Sequence, residues 1–275
     1  SAAGKPCASA KSRKSSAPAN VLPASNAIRV ASGATLNLDA AATSYTNLNA
    51  ISGNGSLLLT FAAGAANNVY LQGVSTGFTG TIELTALGVN GNKLNSQGLN
   101  IPPAVPIKVN DGAQFFLAGT SLTNPISIVG AGNSENRGAI RLTPAGGVTN
   151  YLTGPVTLLG SASLGLEGNG ILGDITNGVA TPSVLTFGTA NSGNVGLFGG
   201  TIADGAGVLT VVVSNGTPTL AGTNTYTGGT VFRGGTLVAN AISDTGASGI
   251  GNTGDLTFNG GTLRYAGTDL VGTAR

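Results

Sequence analysis

The phrase Phe-x-Gly-Gly-Thr-Leu constrains the fold of this chain more than any other sequence feature. It occurs at Phe232–Leu237 and returns 26 residues later at Phe258–Leu263. Each copy joins one apolar segment to the next through a glycine pair, which suits a sharp turn of the backbone. A phrase that returns at this interval predicts structural units that repeat along the chain.

Looser versions of the same phrases occur elsewhere in the sequence. Phe198–Ile202 also combines an aromatic residue, a glycine pair and a threonine, and Gly222–Val231 resembles the earlier Gly73–Ile82. A turn followed by a short apolar segment returns at Ser32–Leu38, Asp111–Leu117 and Gly160–Leu166. Self-similarity at roughly 20–35 residues is typical of stacked repeats, in which each turn buries its apolar face against the next.

The composition favours strands over helices. Glycine accounts for 46 of the 275 residues, and each glycine costs about 1 kcal/mol inside a helix. Short runs that alternate apolar and polar residues predict strands with one buried face. These runs are Thr35–Leu38, Thr81–Leu84, Val156–Leu159 and Leu256–Phe258, and the apolar run Val208–Val213 predicts a buried strand. Turn dipeptides such as Asn54-Gly55, Asp111-Gly112 and Asn215-Gly216 separate such runs.

We therefore predict an all-β solenoid of about ten rungs over residues 25–275. A flexible basic arm over residues 1–24 precedes it, because four of the chain's bases lie before residue 15 and the first acid is Asp39. Cys7 is the only cysteine, so it has no partner for an internal disulfide and its role stays open. A β-sandwich fibre subunit is the alternative fold, since the first 150 residues also suit longer hairpins.

The segment Leu220–Ala239 resembles the autotransporter-associated β-strand repeat. That family's phrase is Leu-x-Gly-x-Asn-x-Tyr-Thr-Gly-Gly-Thr, followed by Gly-Gly-Thr-Leu, and this chain carries both parts. The likeness is close from Leu220 to Leu263, looser from Gly154 to Gly178, and one of style only in the first 150 residues. The resemblance implies a right-handed parallel β-helix in a secreted or surface-displayed bacterial protein, often an adhesin, a matrix protein or a passenger domain.

The sequence offers little for catalysis. Because histidine is absent and cysteine occurs once, neither a histidine-based triad nor a thiolate zinc cluster can form. Gly168–Gly173 matches Gly-x-Gly-x-x-Gly, but a strand and a turn are predicted after it instead of the helix that a dinucleotide site needs, so we interpret it as a rung corner. We predict no catalytic, cofactor-binding or metal-binding residues. One alternative stays open: stacking could bring Glu167 and Asp174 together as a carboxylate pair of a glycoside hydrolase.

We expect an extracellular or cell-surface bacterial protein with a structural or adhesive role, assembling end to end into filaments through exposed strand edges. Its partners would be other copies of itself, with glycans or extracellular matrix as further ligands, and neither nucleic acid nor a membrane span is expected. We expect Tyr226 and Phe78 to fill the bore or a corner of the solenoid instead of stacking on sugars. The alternatives are a monomeric autotransporter-type passenger adhesin and a β-helical polysaccharide-active enzyme. We also expect the chain to be a processed form of a longer product.

Overall fold

Short strands form all the regular structure of residues 26–40, 44–64, 66–144, 147–189, 194–246, 248–268 and 273–274, which are the residues that the computed structural model describes. The basic arm predicted for residues 1–24, with Cys7, lies outside these ranges. The strands are β1 (Ile28–Arg29), β2 (Thr35–Ala40), β3 (Tyr45–Asn47), β4 (Ile51–Ser52), β5 (Ser56–Ala62), β6 (Asn68–Leu71), β7 (Thr81–Leu87), β8 (Lys93–Asn95), β9 (Ile107–Val109), β10 (Phe115–Leu117), β11 (Ile126–Gly130), β12 (Ile140–Leu142), β13 (Tyr151–Leu152), β14 (Val156–Leu166), β15 (Gly170–Ile171), β16 (Ile175–Asn177), β17 (Ser183–Phe187), β18 (Val195–Phe198), β19 (Ile202–Gly205), β20 (Leu209–Val213), β21 (Thr217–Leu220), β22 (Thr230–Phe232), β23 (Thr236–Ala239), β24 (Leu256–Phe258) and β25 (Thr262–Tyr265).

The strands stack into three columns along one axis, and every pairing between them is parallel. Column 1 contains β2, β5, β7, β9, β11, the first half of β14, β16 and β19. Column 2 runs from β3 through β6, β8, β10, β12, the second half of β14, β17, β20 and β22 to β24. Column 3 contains β1 with β4 and, separately, β13, β15, β18, β21, β23 and β25.

The chain is a right-handed parallel β-helix of about nine turns. This confirms the predicted fold class. The alternative of a β-sandwich is wrong because each strand pairs in parallel with the corresponding strand of the next turn. The turns differ in length: in column 1 the two shortest run from Ile107 to Ile126 and from Val156 to Ile175, and the longest runs from Ile126 to Val156. The longest turn is the one that carries an excursion after β11.

The core is the bore of the solenoid, filled by the inward-facing residue of each strand. Column 2 shows this best, because its pairing aligns one side chain per turn over the whole stack. The aligned residues are Tyr45, Val69, Leu94, Phe115, Ile140, Leu164, Phe187, Val213, Phe232 and Phe258. Each buried member removes apolar surface from water at roughly 25 cal/mol per Å², so stabilisation accumulates turn by turn.

The spacing between the two copies of Phe-x-Gly-Gly-Thr-Leu corresponds to one full turn. Phe232 pairs with Phe258 and Leu237 with Leu263, so the two copies lie directly over each other. The two phenylalanine rings stack with centroids 4.4 Å apart and planes 7° from parallel. The related segment Phe198–Ile202 instead joins column 3 to column 1. The phrase therefore encodes a type of corner, not one fixed corner of the solenoid.

Glycine serves the corners in two different ways. Gly112 has φ +75°, in the left-handed region where glycine is favoured. Gly80 is needed for space: a Cβ there would lie 1.8 Å from the carbonyl oxygen of Gly55 on the preceding turn. Both uses permit corners to stack closely, and each would be lost with any larger residue.

Buried asparagines donate hydrogen bonds to backbone carbonyls of neighbouring turns. The Asn124 amide donates to the carbonyls of Pro102 and Val105 at 2.8 and 2.9 Å. Asn169 donates to the carbonyls of Leu117 and Thr143 at 3.0 and 2.7 Å. Buried backbone groups need such partners, and these bonds join successive turns in addition to the strand ladders.

Candidate functional site

The two carboxylates singled out from the sequence have separate surroundings. Glu167, whose side chain is 7% exposed, is held by Arg137, Arg141 and Thr143. Asp174 accepts a hydrogen bond from the backbone amide of Thr201 at 2.8 Å. No hydrogen bond in the described part of the chain joins the two carboxylates. Glu167 has the environment of a structural ion pair.

Glu167 belongs to a cluster of charges on the outer face of column 2, formed with Lys93, Glu135, Arg137 and Arg141; we call it the charged cluster. Lys93 Nζ lies 2.5 Å from Glu135 Oε1, and Arg141 joins both acids, at 3.1 Å to Glu135 and 3.2 Å to Glu167. The Arg141 guanidinium also lies 4.5 Å from the ring centroid of Phe116, within range of a cation–π contact. The sequence did not predict this cluster, because its members come from separate turns.

The protonation of Glu167 follows from these contacts. Burial would raise the pKa of its carboxyl, but hydrogen bonds from Thr143 and Arg137, and the charges of Arg141 and Arg137, outweigh burial. The pKa of Glu167 is therefore held below its ordinary value of 4.5. A carboxyl in this state is ionised at neutral pH and cannot donate a proton as a general acid.

An excursion between β11 and β12, residues 131–139, covers part of this face; we call it the outer loop. Its Asn133 amide donates to the carbonyl of Asn92 at 2.9 Å, and its Ser134 backbone amide donates to the carbonyl of Asn90 at 2.7 Å. Asn136 has a positive φ of 52°, which asparagine tolerates. The outer loop thus shields polar side chains of column 2 from solvent; without the loop these side chains would be exposed.

A shallow groove of about 440 Å³ lies beside the outer loop, where columns 1 and 2 meet. Three successive corners line it, and its edge includes Val89, which is 79% exposed. Its residues are Ala86, Gly88, Val89, Asn90, Asp111, Gly112, Gly132, Asn133 and Ser134. The Asn90 amide already donates to the carbonyl of Gly88 in its own corner and to that of Gly112 on the next turn, and the Asn133 amide donates to the carbonyl of Asn92. The groove therefore offers one exposed carboxylate, backbone groups and a small apolar edge.

The last described turn presents a second distinctive surface. Phe258 is 53% exposed, and Leu256 and Leu263 are only half-buried, although their counterparts on the preceding turn are fully buried. Within the described residues, β24 pairs only with β22 and β25 only with β23. We call this surface the terminal rung.

The remaining sequence candidates lie in structural positions. Tyr226 is 0% and Phe78 1% exposed, so the prediction that they fill the interior is confirmed. The Tyr226 hydroxyl is 2.7 Å from the Thr230 hydroxyl. Gly168–Gly173 contains the two-residue strand β15 and its flanking corners. A Cβ at Gly170 would lie 2.1 Å from the Leu197 carbonyl oxygen, which gives this glycine a packing role.

Three further findings bear on function. Among the described side chains, no group of three or more Asp, Glu, Cys or His residues is placed to hold a metal ion. No helix with the length and apolar character needed to cross a bilayer occurs in the same residues. No protein-family model, curated protein or solved structure matches the chain. A functional proposal therefore depends on the solenoid and its surfaces.

Proposed function

We propose that this protein is an extracellular bacterial structural or adhesive surface protein that associates end to end. The observation that carries the proposal is the terminal rung. Its exposed apolar side chains and strand edges resemble the surfaces that stack on each other between turns of the solenoid. Charged residues make up only 8% of the chain, and a low surface charge favours association. The resemblance to surface-displayed bacterial repeats supports the extracellular location.

The partner that fits the terminal rung is the first turn of a second copy. Among the described strands, column 2 ends in Phe258 and begins with Tyr45, so an added copy would place an aromatic ring over Phe258 as Phe258 lies over Phe232. Exposed strand edges readily accept further strands. A head-to-tail contact that does not close into a ring produces a filament.

Negative-stain electron microscopy of Phe258→Asp tests this assembly. The wild-type chain is expected to form rods longer than one solenoid, and the variant only single solenoids, because a carboxylate would be buried in the joint. Thr257→Asp is the matched control: Thr257 is exposed on the same strand but faces outward, so its rods should persist. Single particles for the wild type, or rods for Phe258→Asp, would contradict end-to-end assembly.

A second candidate, the monomeric passenger adhesin, draws on the groove beside the outer loop. Its single carboxylate and backbone groups suit a neutral hydroxylated ligand such as a glycan. Binding on a glycan array that is lost in Asp111→Ala and retained in Asp255→Ala, at another corner, would support it. The polysaccharide-active alternative has weaker support, because Glu167 is engaged by three neighbouring side chains.

A further inference from the structure

A buried lysine and a buried glutamine lie side by side beneath the outer loop. The Lys93 side chain is 5% exposed and Gln114 is 0% exposed. Leu94 pairs with Phe115, and Lys93 and Gln114 each precede one member of that pair. Their side chains therefore leave the same face of the sheet on adjacent turns, which are about 4.8 Å apart in a parallel sheet.

Of the two polar atoms of the Gln114 side-chain amide, only the nitrogen has a hydrogen-bond partner among the described residues. Its Nε2 donates to the carbonyl of Gly138 at 2.9 Å, whereas its buried Oε1 accepts no hydrogen bond from the described residues. A buried acceptor without a donor costs about 1–3 kcal/mol, and such groups in native structures call for an explanation. The neighbouring ammonium of Lys93 does not supply the missing bond, since it donates to Glu135 and to the carbonyl of Gly91.

Glu135 is placed to take a proton from that ammonium. Its Oε1 lies 2.5 Å from Lys93 Nζ, and its Oε2 accepts from Arg141 at 3.1 Å. A lysine becomes a nucleophile only when neutral, and an adjacent base or a desolvated site produces that form. A buried amine, a carboxylate in contact with it and an amide carbonyl on the adjacent turn together form the parts of an amide-exchange reaction.

We propose that Lys93 and Gln114 form an intramolecular isopeptide bond, with Glu135 carrying the protons. Glu135 removes a proton from the ammonium, and the neutral Nζ attacks Cδ of Gln114. The tetrahedral intermediate then loses the original amide nitrogen, to which protons pass through Glu135. The Nζ–Cδ bond forms, the Cδ–Nε2 bond breaks, and the lysine ammonium and glutamine amide become a secondary amide and an ammonium ion. The Glu135 carboxylate is regenerated, and no oxidant or cofactor is consumed.

Such a bond would join β8 to the residue before β10 on the next turn. It would restrict the unfolded chain as a disulfide does, in a protein whose single cysteine leaves no internal disulfide. It would also hold the segments that carry Lys93 and Gln114, which lie beneath the outer loop, at a fixed spacing. This inference does not depend on end-to-end assembly, because it concerns the covalent state of one chain.

Intact-mass measurement of the purified chain gives the first test. We expect a mass lower than the sequence mass by one ammonia molecule. Trypsin should not cut at Lys93 once its side chain forms an amide. Digestion should therefore yield a cross-linked product in which residues 30–108 are joined to residues 109–137. Lys93→Arg keeps the charge beside Glu135 and should restore the full mass. Lys108→Arg is the matched control, since Lys108 pairs with Glu83 on the exposed face, and its ammonia loss should persist.

The outcomes separate the proposal from its competitors. The full sequence mass in the wild-type chain would overturn it. An ammonia loss that survives Lys93→Arg, or that maps to a linear peptide, would also overturn it, because cyclisation at an Asn-Gly dipeptide such as Asn90-Gly91 causes the same loss. Glu135→Gln should leave a mainly unlinked chain. The peptide map of the wild-type protein decides the question even where a variant fails to fold.

Discussion

At the scale of single residues, Glu167 links the stability of the solenoid to pH. Its pKa is lowered in the folded state, so its stabilisation is present above the ordinary value of 4.5 and is lost as pH falls through the lower folded pKa. Glu167→Gln is expected to cost about 3 kcal/mol at neutral pH, because Arg137 and Arg141 lose a buried partner. The difference in unfolding free energy from wild type should shrink in acid.

Glu83 is the control for this prediction. Its pKa is also lowered, by hydrogen bonds from Asn110 and Lys108, but its side chain is 38% exposed. Glu83→Gln should cost less than about 1 kcal/mol, and added salt should reduce that cost. Urea unfolding from pH 3 to pH 7 measures both variants. Equal costs would mean that burial in the charged cluster contributes nothing.

Gly80 gives a second prediction at this scale. Gly80→Ala places a Cβ 1.8 Å from the Gly55 carbonyl oxygen, so adjacent turns must separate, and we expect a loss of about 3 kcal/mol. Gly77→Ala in the same corner meets only the Ser52 side chain at 3.4 Å, an ordinary contact, and should change stability by less than about 1 kcal/mol. Thermal unfolding of the two variants provides the comparison, and similar values would exclude close stacking at Gly80.

At the scale of elements, the corners depend on buried asparagines as much as the strands depend on apolar columns. Asn169 also accepts a hydrogen bond from the backbone amide of Asn150 at 2.7 Å. Asn169→Leu would remove the partner of that amide and of the Thr143 carbonyl, and would leave the Leu117 carbonyl with the Thr143 amide alone. We expect a cost of about 3 kcal/mol, measured by urea unfolding. Asn54→Leu, at an exposed corner position, should be close to neutral. A neutral Asn169→Leu would show that water replaces the amide at this corner.

The strands were predictable from sequence, whereas the charged cluster was not. Alternation within Thr35–Leu38 or Leu256–Phe258 is a local signal, and the glycine-pair phrase gave the length of one turn directly. Arg141 meets Glu167 only because adjacent turns stack in register, and turn length varies along the chain. The outer loop changes that spacing further. Pattern alone therefore identified the rungs but not which outward-facing residues meet across them.

At the scale of the whole molecule, a solenoid is held together by nearest-neighbour contacts, so damage should remain local. Leu164→Ala removes a fully buried side chain from the middle of column 2 and is expected to cost about 3 kcal/mol. Hydrogen exchange should then accelerate in β12 and β17, the strands paired with the second half of β14, and remain unchanged in β2 and β5 several turns away. Leu263→Ala, in the half-buried terminal rung, should affect β23 and β25 alone. Acceleration spread evenly over all strands would contradict local unfolding. It would indicate that the nine turns unfold as one cooperative unit, so that the stability of each turn depends on the whole stack and not only on its two neighbours.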